Sequence, residues 1–290
     1  MCDDVTVTAD DAALSRRQFG LAGVAAGAAV VVAGSLATPL EAATKSSLTE
    51  ATVTVTTPDG AADAFFVRPA KGKHPGVILW PDIGGLREAF YVLARRIAEQ
   101  GYAVLAVNQY YRGGTAPVLP SFAAWRTPEG QAKLKPMIAQ INPAATTRDA
   151  AAFVVWLDKQ ASVNSKRGIG TCGFCMGGPM TVRTAAAAPG RVRAAASFHG
   201  GGLVGDAADA PIKLLAATKA SYLIAIGRND DARAPGDKDA LKAAAAAAKR
   251  KAEIEVYAGD HGWTVPDSPV YLKAEGDRAF ARMYALFATM

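Results

Sequence analysis

The six residues Gly173-Phe174-Cys175-Met176-Gly177-Gly178 set a cysteine between glycines where an apolar run gives way to a helical pattern. A nucleophile at a strand-to-helix turn sits on a sharp, strained backbone, and small neighbours let that turn close without collision. The helix that follows aims its N-terminus at the sulfur and favours the thiolate over the free thiol, whose ordinary pKa is about 8.5. The Met176 N–H would then face an oxyanion. A second donor is expected from the loop Pro81-Asp82-Ile83-Gly84-Gly85, with the Ile83 N–H as the candidate. Sites of this kind take nucleophile, acid and histidine in that chain order. Gly227-Arg228-Asn229-Asp230-Asp231 and Gly259-Asp260-His261-Gly262-Trp263 supply the last two, each after a predicted strand. Asp230 is expected to orient His261, with its competitor Asp231 turned to solvent. His199 follows another strand and reads as a pocket wall or a structural hydrogen bond. His74, beside Pro75, falls at the opposite end of the sheet, in solvent.

These residues need a scaffold that brings several strand ends together. Thr52 to Thr57 and Ala64 to Arg68 flank a Pro-Asp-Gly turn and read as a hairpin. Gly76 to Trp80 is a continuous apolar run, as in a strand buried on both faces, and 102–107 reads as the next buried strand; further strands are read at 167–171, 192–198, 222–226 and 253–257. Helical spacing lies between them at 86–100, 144–160, 177–188, 211–219 and 237–251, and a last helix spans 274–288. Alternating strands and helices over about two hundred residues mean an α/β class, with a mostly parallel central sheet and helices on both faces. Ligand sites of such sheets form at the carboxyl ends of the strands, where all three candidates fall. Residues 109–142 are irregular, with one short helix expected near 131–140. Their Tyr110, Tyr111, Phe122 and Trp125, with Trp263, would line an aromatic cleft. Arg112, Arg126 and Arg228 could meet an anionic substrate.

Taken together, the GFCMGG elbow and the spacing of Cys175, Asp230 and His261 resemble the dienelactone hydrolase family of α/β hydrolases, over roughly residues 50 to 288. The resemblance implies the α/β-hydrolase fold. It also implies a thiol triad that hydrolyses lactones or activated esters, such as carboxymethylenebutenolide lactones. In the family an acid in the first loop, usually Glu, contacts the resting nucleophile, and Asp82 holds that place here. The family's lactone hydrolase grips a substrate carboxylate with two arginines, one of them four residues after the histidine. That place is Val265, and Arg126 is a weak match for the other.

Other chemistries fit less well. Cys172-Gly-Phe-Cys175 is a CxxC pair, which would suit dithiol redox work or an inactivating disulfide. The Asp–His partners would then have no task. A non-catalytic binding protein on the same fold is the remaining alternative. The three histidines show no paired-ligand spacing such as HxxxH, so neither a metal nor an organic cofactor is expected.

Ser15-Arg16-Arg17-Gln18-Phe19-Gly20 precedes the uncharged stretch Leu21 to Ala37 and reads as a twin-arginine export signal. The stretch is shorter than the roughly 20 residues of a spanning helix. The expectation is a signal at 1–43, passed to the twin-arginine export machinery, and a single domain at 44–290. That domain would work in the periplasm or outside the cell, without a stable membrane anchor. The 290 residues carry a formal charge of +6, and half are hydrophobic, which excludes disorder. Three cysteines exclude a disulfide scaffold. Residues 1–43 hold five acids and two arginines, so cleavage would leave +9. The basic residues look scattered along the chain, which suits small anionic partners better than nucleic acid.

Overall fold

The computed structural model describes residues 47–290; the twin-arginine signal lies outside the described residues. The chain opens with the hairpin β1 (Leu48–Thr57) and β2 (Gly60–Pro69), closed at Gly60, whose φ of +139° suits glycine alone. Then follow β3 (Gly76–Trp80), α1 (Glu88–Ala98) and β4 (Ala103–Val107). The segment before β5 (Ile169–Phe174) carries α2 (Phe122–Trp125), α3 (Pro128–Ile138) and α4 (Pro143–Asp158). Next come α5 (Gly177–Ala187), β6 (Val192–Phe198), α6 (Pro211–Leu214) and β7 (Ser221–Gly227). The chain closes with α7 (Arg228–Arg233), α8 (Asp237–Ala247), β8 (Ala252–Tyr257) and α9 (Lys273–Phe287).

The eight strands form one sheet in the order β1-β2-β4-β3-β5-β6-β7-β8. Pairing is antiparallel from β1 to β4 and parallel from there on. This is the mostly parallel sheet that the alternation of elements predicts, in the α/β-hydrolase form that the resemblance implies. Period-two alternation divides each inner strand between two apolar layers. Ile78 and Trp80 pack with Phe153 of α4 and Met180 of α5, while Val77 and Leu79 pack with Phe90 of α1 and Phe280 of α9.

Several elements differ from the sequence reading, among them the unexpected short helix α7 and the helix expected at 211–219, which ends at Leu214. The helix expected at 131–140 starts at Pro128, because Thr127 caps the Gly130 N–H and proline suits the first helical turn. A further turn, α2, is capped by Ser121. Strand β5 runs on to Phe174, so Cys175 follows it without a spacer and Cys172 lies inside it.

Candidate active site

Cys175 has φ of +52°, a left-handed conformation uncommon for a side chain with a Cβ. The glycines around it are fixed by close approach. A Cβ at Gly173 would stand 2.1 Å from the Gly177 carbonyl oxygen, and one at Gly177 would stand 2.4 Å from that of Trp80. The glycine spacing of the elbow is therefore a packing requirement as well as a turn signal. Met176 and Ile83 have N–H groups that donate to no acceptor among the described residues. The Ile83 loop is pinned from below: Tyr110 Oη donates to the Ile83 carbonyl (2.8 Å) and Gln109 Nε2 to that of Asp82 (2.7 Å).

Asp230 and His261 meet as their spacing suggests. Asp230 stands on α7, just past β7, and its Oδ2 lies 2.8 Å from His261 Nδ1. Asn229 Oδ1 accepts the His261 backbone N–H at 2.8 Å and fixes the loop. Burial disfavours the imidazolium. Hydrogen bonds to Asp230 and Cys175 and the charge of each outweigh burial, and His261 is raised to about 10. Asp231 turns away to Lys238 Nζ (2.7 Å). The structure thus brings His261 against both Cys175 and Asp230.

His199 is not on the cleft wall. It is fully buried with φ of +40°, and its Nδ1 accepts the Cys175 N–H at 3.1 Å, shared with the Phe198 carbonyl oxygen at 3.0 Å. Nε2 then carries the proton and donates to Thr264 Oγ1 at 2.9 Å. Burial and the facing His261, 5.0 Å away between ring centroids, hold His199 well below its ordinary pKa and hence neutral. Thr264 and Asn229 carried no recognisable sequence signal.

Several expectations need correcting. Asp82 does not contact Cys175. It is buried, and both its oxygens accept from Arg87, at 2.7 and 3.0 Å. A carboxylate one methylene shorter than Glu, with a guanidinium five residues on, is taken by the nearer charge. Trp263 does not line a cleft: it is fully buried, stacked on Tyr257 and edge-on to His199. Arg112 pairs with Asp59 and Asp149, and Arg228 with Asp260, so neither guanidinium is without a partner. Tyr111 hydrogen-bonds Asp149 and Thr57, away from the elbow. Phe122 lies beside Arg87. Trp125 is half-buried against the cluster of Tyr110, Val118, Leu119 and Leu134, against which Met176 also packs, whereas Arg126 is exposed. His74 is not left to solvent, since its ring nitrogens meet the carbonyl oxygens of Lys71 and Gly101. Val265 is core. Cys172 and Cys175 are free thiols, and Cys172 is buried in the layer under α1 and α9, its thiol pKa pushed far up by burial.

The dienelactone hydrolase family model matches residues 62–290. The chain belongs to the dienelactone hydrolase family. A similar protein of Methylorubrum extorquens, named "Putative carboxymethylenebutenolidase", is 28% identical over 259 residues, covering 88% of this chain and 85% of that one. A relative of the same name from Escherichia coli is 28% identical over 236 residues, covering 77% and 81%. The crystal structure of a "Putative Dienelactone Hydrolase" from Klebsiella pneumoniae superposes with a TM-score of 0.73 at 24% identity, over 84% of this chain and all of that one. Membership of the dienelactone hydrolase family makes this chain a hydrolase of carboxylic esters or lactones.

Proposed function

We propose that the protein opens a lactone or cleaves an activated ester through Cys175, His261 and Asp230, by way of a thioester. The observation that carries this reading is the Asp230–His261 hydrogen bond beside a cysteine held at positive φ at the end of β5. The Cys175 thiolate attacks the carbonyl carbon, forming the C–S bond. The Met176 and Ile83 N–H groups receive the oxyanion. Collapse breaks the acyl C–O bond, and His261 gives its proton to the leaving alkoxide. A water then loses its proton to His261 and attacks the thioester, releasing the acid and restoring the thiolate. Asp230 keeps the imidazole oriented throughout. Neutral His199 holds the Cys175 N–H and so sets the elbow. The dithiol reading has less support, since Cys172 lies in a dry apolar layer. Cys175→Ala should abolish turnover of a small aryl ester, and mass spectrometry of quenched wild type should find the acyl group on Cys175. Wild-type rates in the variant would remove the cysteine from the mechanism.

The working enzyme in this proposal is residues 44–290, exported folded through the twin-arginine route. Among the described residues no helix is long and apolar enough to cross a membrane. Arg16→Lys with Arg17→Lys should hold the precursor in the cytoplasm. An unchanged periplasmic fraction would refute export by this route.

A further inference from the structure

A groove of about 870 Å³ opens at the amino ends of β5 to β8, the end of the sheet opposite Cys175. The connections entering these four neighbouring strands each bring a cation. Lys166 and Arg167 precede β5, Arg193 is the second residue of β6, Lys219 precedes β7, and the run Lys249 to Lys251 precedes β8. Arg282 of α9 adds an eighth positive side chain, against Glu253 as the single carboxylate side chain of the lining. The basic residues that look scattered in sequence are thus gathered by the parallel topology. Their excess of seven compares with +9 for all of residues 44–290. The rest of that domain is nearly neutral.

Elsewhere in this fold most arginines are answered by carboxylates, as Arg87, Arg95, Arg112 and Arg191 are. In the groove only Arg282 is, by Glu253. Arg167 donates to the backbone oxygen of Met290, and none of the other six pairs with a carboxylate side chain among the described residues. Adjacent strands lie about 4.8 Å apart, so the cations form a row roughly 15 Å long. Like charges so placed repel one another, and a multiply charged anion would relieve them. The volume falls in the range of small-ligand sites, about 300–1,000 Å³. Six cations without a carboxylate partner in that space call for dense negative charge. A phosphate group supplies about −1.5 to −2, against −1 for a carboxylate, and matches the guanidinium fork.

We propose that this groove is a second binding site, distinct from the hydrolytic one, for a small anion bearing several phosphate groups. Sodium tripolyphosphate titrated into the full-length protein at low salt should give one saturable site by calorimetry, weakened as salt rises. Lys219→Glu with Lys249→Glu and Lys251→Glu should lower its affinity at least tenfold. A Lys71→Glu with Lys73→Glu control, away from the groove, should stay within twofold of wild type. Thermal midpoints by circular dichroism check the fold of each variant, and Lys219→Ala with Lys251→Ala gives a milder loss in the same direction should the reversal not fold. Absence of saturable heat up to millimolar tripolyphosphate overturns the proposal. So do equal losses in groove and control variants, or citrate binding as tightly. Co-sedimentation with phosphatidylglycerol vesicles that tripolyphosphate fails to displace also overturns it, by assigning the face to a membrane surface.

Discussion

Arg87→Met should destabilise this protein more than any other single change at the loop that carries Ile83. All five guanidinium N–H bonds of Arg87 are used: two reach Asp82, two reach Asp267 and one reaches the Gly85 carbonyl. Without them Asp82, 2% exposed, keeps the Gly84 N–H alone as a side-chain partner. A buried carboxylate stripped of its cation costs about 3–5 kcal/mol. Asp267 loses less, because its side chain is 28% exposed and holds the Phe122 N–H. At about 2–4 °C per kcal/mol for a domain of this size, the melting midpoint should fall by roughly 6–20 °C. The loss must also depend on pH. Burial already pushes Asp82 above its ordinary 3.8, and Arg87 is the charge that pulls it back. In the variant the folded-state value rises further, so above 3.8 the folded protein keeps a proton that the unfolded chain has released. That stabilisation is complete below the unfolded value and is lost as pH rises through the folded one. The deficit against wild type therefore widens from pH 4 towards pH 7. Adding Asp82→Asn removes the stranded charge and should recover more than half of it. Urea unfolding across this pH range is the assay. A loss under about 1 kcal/mol, a deficit flat in pH, or no recovery with Asn would refute the reasoning.

Two further outcomes follow from the site. Asp230→Asn removes one of the two partners that hold His261 protonated, the other being Cys175, so its titration should fall below about 10, read from the imidazole proton resonances. The variant's kcat/KM should drop by on the order of 10² or more, and an unmoved titration would dismiss Asp230 as the orienting acid. Cys172→Ala should cost about 1–2 kcal/mol for the small cavity it leaves, with turnover within twofold of wild type. Loss of activity there would revive the dithiol reading.

The fold was legible because its inner strands are short apolar runs with helices between them, a pattern that fits few alternatives. The elbow was legible because its glycine spacing marks a sharp strand-to-helix turn, although Gly177 answers to Trp80, far away in the chain. Asp230 and His261 could be placed because each follows a strand whose carboxyl end the topology fixes. What stayed hidden depends on side chains far apart in the chain. Nothing in residues 81–87 announces that Asp267, 180 residues on, completes the Arg87 cluster. His199 could be placed at the right edge but not given its partner, since that depends on the left-handed turn at its own Cα. The basic groove was invisible for the same reason: its cations are dispersed over more than a hundred residues and meet only through the order of β5 to β8.

The same cluster bears on what the enzyme accepts. In the family's lactone hydrolase, arginines grip the substrate carboxylate. Here the place four residues after His261 is Val265, 1% exposed in the layer with Trp263, where a guanidinium would have to be buried. Arg87 is the cation nearest in sequence to the Ile83 loop, and it has no N–H left to offer a substrate. Arg126, the remaining match, is exposed at the end of α2. A substrate carboxylate entering beside Cys175 would lose water without gaining an arginine at position 265 or 87, and the His261 charge is already engaged by Asp230 and Cys175, which makes that entry costly. The preferred acyl group should therefore be uncharged. A lactone carrying a methyl ester should show a KM at least tenfold below that of the same lactone with a free carboxylate, and Arg126→Ala should leave the ratio unchanged. Equal KM values, or a preference for the free acid that Arg126→Ala abolishes, would place an anion grip in the α2 segment and return this enzyme to the family's usual substrates.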